Sequence, residues 1–193
     1  MFVSYNTDYF IFEKLSVLIM GKTTKELNRV INLTLERCYR ELFTKRDKIS
    51  LSVEISDLRK RESIWGSASP DGKNEFTVEL DGFSSLYQTI HTLCHEMVHV
   101  NQYYRGDLKS DSAGFYWLGI DMSDVAYCRQ PWEKEAYTRQ KSLAQMVFDE
   151  QMCWSKKRAQ TIMARNGEPF KEDTTNNVIS LEEFLNEQSN SVA

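Results

Sequence analysis

Residues His95-Glu96-Met97-Val98-His99 put two imidazoles four positions apart with a carboxylate between them. On an α-helix, residues i and i+4 lie one turn apart on one face, so both imidazoles can converge on a single metal ion. The flanking residues supply that helix, expected over 84–104. With His95 at zero and 100° per residue, His99 falls at about 40° and Gln102 at about −20°. Leu86, Ile90, Leu93, Met97 and Val100 fall on the opposite face. A chain carrying this segment must therefore bury one face of a helix while its other face offers both His.

The sequence contains three His, and the third is His91. His91 and His99 are two turns apart, about 12 Å along the axis at 1.5 Å per residue. They cannot share an ion whose bonds are about 2 Å long. With no other His in the chain, a third ligand has to be a carboxylate or, less favourably, Cys128. The helix opened by Pro131 offers Glu133 and Glu135, which project about 200° apart. Glu133 shares its side with Ala136, Tyr137, Gln140 and Ala144. Glu135 shares its side with Lys134, Thr138, Ser142 and Gln145, a solvated set. Glu133 is the favoured ligand, and the small Ala136 would let the two helices approach closely. Glu96 is the expected base. Gln102 reads equally as a group orienting a ligand or as an ordinary polar residue on an exposed face. Tyr127 and Tyr137 are candidates to stabilise an oxyanion, and each also reads as a core aromatic.

Elsewhere, Thr23 and Glu26 have capping-box spacing, and Leu27, Ile31, Leu35, Cys38 and Leu42 continue as an amphipathic helix over 24–43. Ile49, Leu51, Val53 and Ile55 alternate with polar residues, as do Phe76, Val78 and Leu80, which marks two strands. Residues 63–68 form a weaker strand, joined to the second by a turn at Pro70-Asp71-Gly72 to give a hairpin. Residues 106–130 read as loop with short strands. A last helix runs from Pro131 to at least Cys153. The expected organisation is one α+β domain over 1–166 and a polar extension over 167–193 with a short helix at 180–185. In it a small twisted antiparallel or mixed sheet packs on the His-bearing helix and a second ligand-bearing helix.

Net charge is −4, with 24 Lys+Arg against 28 Asp+Glu, which does not suit a dedicated nucleic-acid coat. The four Cys are widely spaced singles that favour buried free thiols over disulfides. Together with a poor signal-peptide pattern and no membrane-length apolar stretch, this reads as a cytoplasmic protein.

The strings His95-Glu96-Met97-Val98-His99-Val100-Asn101-Gln102 and Pro131-Trp132-Glu133-Lys134-Glu135-Ala136-Tyr137 resemble gluzincins, zinc peptidases with a Glu third ligand. Within that class they look like a group of small predicted metallopeptidases common in bacteriophage genomes. The likeness spans about residues 85 to 140. It implies a zincin-like fold and one Zn²⁺ held by His95, His99 and Glu133. It also implies Glu96 as base in peptide-bond hydrolysis of a protein or peptide substrate, in the host cytoplasm. By the same analogy one strand of the hairpin is a sheet edge that pairs with an extended substrate. Two other readings remain open. One is an SprT-like protease on DNA-bound proteins, suggested by Lys156, Lys157, Arg158 and Arg165. The other is a zinc-stabilised structural or host-interaction protein.

Overall fold

Alternating apolar residues decide which face of the sheet is covered. The computed structural model describes residues 4–166, with side-chain surroundings over 8–151. The order is β1 (Ser4–Phe12), β2 (Leu15–Thr23), α1 (Lys25–Leu42), β3 (Ile49–Ser56), the short α2 (Leu58–Glu62), β4 (Gly66–Gly72), β5 (Glu75–Asp81), α3 (Leu86–Arg105), β6 (Leu108–Asp111), β7 (Gly114–Trp117), β8 (Ile120–Asp121), a 3₁₀ turn (Tyr127–Arg129) and α4 (Pro131–Asn166). Leu15, Val17 and Ile19 on β2, Ile49, Leu51 and Val53 on β3, and Phe76, Val78 and Leu80 on β5 are all buried. The residues between them are exposed or half-buried. One layer of helices therefore covers one face, and the other stays polar.

The main sheet has the order β1-β2-β3-β5-β4. Its centre, β2-β3-β5, is parallel, and antiparallel β1 and β4 form the two edges. The sheet is thus mixed and the fold α+β, as expected. A second, three-stranded meander, β6-β7-β8, fills the region read as loop with short strands. No helix among the described residues is long and apolar enough to cross a membrane.

Three local expectations are corrected and one unexpected element is added. The N-cap of α1 is Thr24, not Thr23: the Leu27 N–H donates to Thr24 Oγ1 at 3.1 Å. Thr23 is instead the last, buried residue of β2, paired with Ser4. Pro70-Asp71-Gly72 is not a turn but the end of β4, with a register shift between Pro70 and Gly72; the reversal is at Lys73 and Asn74, where Asn74 has φ 62°. That strand starts at Gly66 rather than at residue 63. The N-terminal segment carried no strand expectation, yet it forms the β1–β2 hairpin, turning at Glu13 with φ 50°. Residues 167–193, with the expected short helix at 180–185, lie outside the described residues, as do the side chains of Cys153, Lys156, Lys157, Arg158 and Arg165.

Cys38 on α1 and Cys94 on α3 are buried free thiols, their sulfurs 3.7 Å apart, and Cys128 is an exposed free thiol. A bonded pair would stand at about 2.05 Å.

Gly21 pins the junction of β2 and β3. It has φ +115°, and a Cβ there would lie 2.2 Å from the Ile55 carbonyl oxygen. Gly21→Ala is expected to destabilise the chain by at least about 1–3 kcal/mol. A urea midpoint lowered at unchanged slope would show it; an unchanged midpoint would contradict the β2–β3 register.

Candidate metal centre

Helix α3 is fixed at both ends before any ligand is considered. At its start the Gln88 N–H donates to Ser85 Oγ at 3.2 Å, and at its end Gly106 takes the left-handed conformation at φ 75°. Ile90, Leu93, Met97 and Val100 are fully buried against the sheet and α1, while Leu86 at the first turn is only half-buried. The Asn101 amide donates to the Leu42 carbonyl at 2.8 Å, tying α3 to the end of α1. The His-bearing side is not open as the helical wheel suggested. Helix α4 lies over it, with Ala136 and Ala144 completely buried, so His95, Glu96, His99 and Gln102 are all buried.

Three ligand residues converge there. His95 Nε2 and His99 Nε2 are 3.0 Å apart. Glu133 brings Oε2 to 3.2 Å from His95 Nε2 and Oε1 to 3.4 Å from His99 Nε2. A tetrahedral ion with bonds of 2.0–2.1 Å separates its ligands by about 3.3 Å, so the spacing suits one small metal ion. Among the described residues, His95, His99 and Glu133 form the group able to hold it. Cys128 and His91 lie outside that group.

The hydrogen bonds around His99 settle its tautomer. Gln102 donates its amide to the Trp132 carbonyl and to Glu135 Oε2, both at 3.0 Å. Both of those partners are acceptors only, so Gln102 Oε1 must face His99 Nδ1, 2.8 Å away. His99 Nδ1 therefore carries the proton and donates, and Nε2 is left with a lone pair aimed at the site. Glu135 is held in turn by Arg105 and Arg139. It is half-buried and does not reach the ligand group, yet it orients Gln102. Of the two readings open for Gln102, the geometry supports the orienting one.

Three lone-pair donors this close repel unless a cation lies among them. Burial pushes the His99 pKa down, but Glu133, Glu96 and Gln102 outweigh it and raise the pKa overall. Burial likewise pushes Glu133 up, and bonds from His95, His99 and Tyr127 more than reverse it, leaving the carboxylate well below its usual range. In the metal-free site these neighbours thus favour a proton on His99.

Glu96 faces the cleft beside this group. Burial raises its pKa, partly opposed by His99 and His95. The approach of β4 is close: a Cβ on Gly66 would stand 2.5 Å from Thr92 Cγ2 and 3.1 Å from Glu96 Oε1. The cleft, about 320 Å³, is bordered by Ile64, Trp65 and Gly66 on one side and by Tyr127, Tyr137 and Gln140 on the other. Tyr127 and Tyr137 are not core aromatics. They are 56% and 52% exposed. The Tyr127 hydroxyl donates to Glu133 Oε2 at 2.6 Å, and the Tyr137 ring packs edge-on against His95. Burial, the bond to Glu133 and the neighbouring Tyr137 hold the Tyr127 pKa far above the ordinary phenol value, so it remains a donor.

Sequence reasoning missed Gln140. Its Oε1 lies 3.1 Å from His95 Nδ1 and its amide nitrogen 3.3 Å from His91 Nδ1. The signal was present, since Gln140 shares a helix face with Glu133, but its partners could not be read from one helix alone.

The chain matches no protein-family model, no curated protein and no solved structure.

With zinc as the probe ion, Glu133→Ala and His95→Ala are expected to abolish stoichiometric metal uptake, whereas Glu135→Ala keeps one site and weakens it. Elemental analysis after dialysis checks this, and full occupancy in Glu133→Ala would refute the ligand set. Because the raised His99 pKa belongs to the metal-free site, the proton competes below that pKa. Zinc affinity should fall as pH falls through it and level off above it, as a chelator-competition titration across pH would read.

Proposed function

We propose that the chain is a zinc-dependent peptidase of zincin-like architecture. The observation that carries this reading is the pairing of a three-ligand group with a buried carboxylate at an accessible cleft. Structural zinc sites are usually closed by four protein ligands, and catalytic ones keep a position open. Here the described residues supply three. Two imidazoles and one carboxylate are a donor set that zinc accepts readily.

Zinc bound there would supply a Lewis acid that acidifies water and polarises a carbonyl. The remaining chemistry belongs to the chain. Glu96, with its pKa raised by burial, is suited to take a proton from water and hand it to the departing amine. Tyr127, kept protonated, is suited to donate to an oxyanion once its hydroxyl turns from Glu133, and Tyr137 lies beside it on the same side of the cleft.

The outer edge of β4, which pairs with no strand among the described residues, supports a peptide as substrate. Asp81 N–H donates to the Trp65 carbonyl, and Gly66 pairs opposite Leu80. In that antiparallel register the N–H and C=O groups of Gly66 and Ala68 turn away from β5, toward a strand that could be added. Pro70 is next in that series and has no N–H to offer, so it interrupts the edge without costing β4 a bond to β5. An extended peptide could thus pair over about two residues beside Glu96.

Glu96→Gln is expected to keep zinc and lose hydrolysis, by at least about 10²-fold as befits a general base. Proteome-derived peptide libraries digested with wild type and variant would provide both the test and the substrate preference. Equal cleavage by the zinc-loaded variant would exclude Glu96 as base.

A further inference from the structure

We propose that His91, which cannot reach the metal, acts on it through Gln140, as a positioning relay that supports the metal-binding tautomer of His95. This inference rests on the metal site and not on hydrolysis.

For His95 to offer Nε2 to an ion, Nδ1 must hold the proton and needs an acceptor. Gln140 Oε1 is that acceptor, at 3.1 Å. A carboxamide has two nearly isosteric ends, and the reverse orientation would turn its NH₂ on His95 and favour the wrong tautomer. At His99 the same choice is made by Trp132 and Glu135, which only accept from Gln102. At His95 the matching partner is His91, whose Nδ1 stands 3.3 Å from the Gln140 amide nitrogen and can accept from it. In that arrangement His91 carries its proton on Nε2.

Two observations show that packing alone does not account for His91. Its ring lies against Tyr87 and Phe148, with centroids 4.5 and 5.5 Å away, a setting that a phenyl ring would fill. Its Nε2 is buried and has no hydrogen-bond partner among the described residues. A buried ring nitrogen without a partner is destabilising in either tautomer, so His91 is a poor choice for the pocket unless its other nitrogen is needed. Burial also holds its pKa below the ordinary imidazole value, which keeps the accepting form.

The test separates stability from metal affinity. Zinc affinity is measured by competition with a chromophoric chelator, and apoprotein stability by thermal melting, for wild type, Gln140→Ala, Gln140→Glu, His91→Phe and the double variant His91→Phe/Gln140→Ala. Gln140→Ala should bind zinc about 10- to 100-fold more weakly, the usual effect of losing a ligand-orienting partner. Gln140→Glu retains an acceptor on either oxygen and should bind within a few-fold of wild type, about as Gln140 does. His91→Phe should weaken zinc binding while its apoprotein melts at the same temperature or higher. The double variant should bind no more weakly than Gln140→Ala, since His91 has nothing left to act through. Additive losses, a His91→Phe variant with wild-type zinc affinity, or a Gln140→Ala variant that binds as wild type would each overturn the relay. Failure of wild type itself to bind zinc would overturn the metal reading and the relay together. Loss of peptide cleavage with zinc binding intact would leave the relay supported and count against the peptidase reading alone.

Discussion

Three lone pairs aimed at one point cannot be held there by the ligands themselves. His95 Nε2, His99 Nε2 and Glu133 lie 3.0–3.4 Å from one another, and mutual repulsion would rotate each away. What holds them is the set of bonds behind them. Gln102 fixes His99 from α3, Gln140 fixes His95 from α4, and the Tyr127 hydroxyl holds Glu133. These bonds extend outward to Glu135, Arg105 and Arg139 on one side and to His91 on the other. The surface charges of α4 are therefore coupled mechanically to the buried site, although none of them touches it.

Burying so much polarity on one helix has to be offset elsewhere. Ile90, Leu93, Met97 and Val100 make α3 a full member of the apolar core, packed against the sheet and α1. The small Ala136 and Ala144 bring α4 close enough for its side chains to complete the network. Gly66 does the same at the opposite wall, where any side chain would meet Thr92 and Glu96. Close approach by small residues is what converts a polar helix face into an enclosed site with one accessible side.

How far the sequence could be read depended on how local each feature is. The helix α3 and the strands β3 and β5 follow from a clean period in their own residues. The β1–β2 hairpin did not, because the run Phe10-Ile11-Phe12 is apolar at every position and hides its alternation; only packing distinguishes Phe10 and Phe12, which turn toward the core, from the exposed Ile11. Pro70-Asp71-Gly72 has turn composition, yet it lies in an edge strand. There Pro70's missing N–H faces away from β5 and carries no penalty. Thr23 and Thr24 are both plausible caps by type. The register of β2 claims the first and leaves the second.

The sequence by itself determined the pair of His one turn apart, the exclusion of His91 by helical rise, and hence the need for a carboxylate from elsewhere in the chain. These are consequences of one helix's geometry and of the absence of any fourth His. Only the tertiary structure decided that Glu133 completes the group, that Glu135 steadies Gln102, and that Gln140 stands between His91 and His95. Each of these depends on the rotation and separation of α4 against α3. That relation is set by Ala136, Ala144 and the shared core, through contacts between residues some forty positions apart that no local period encodes.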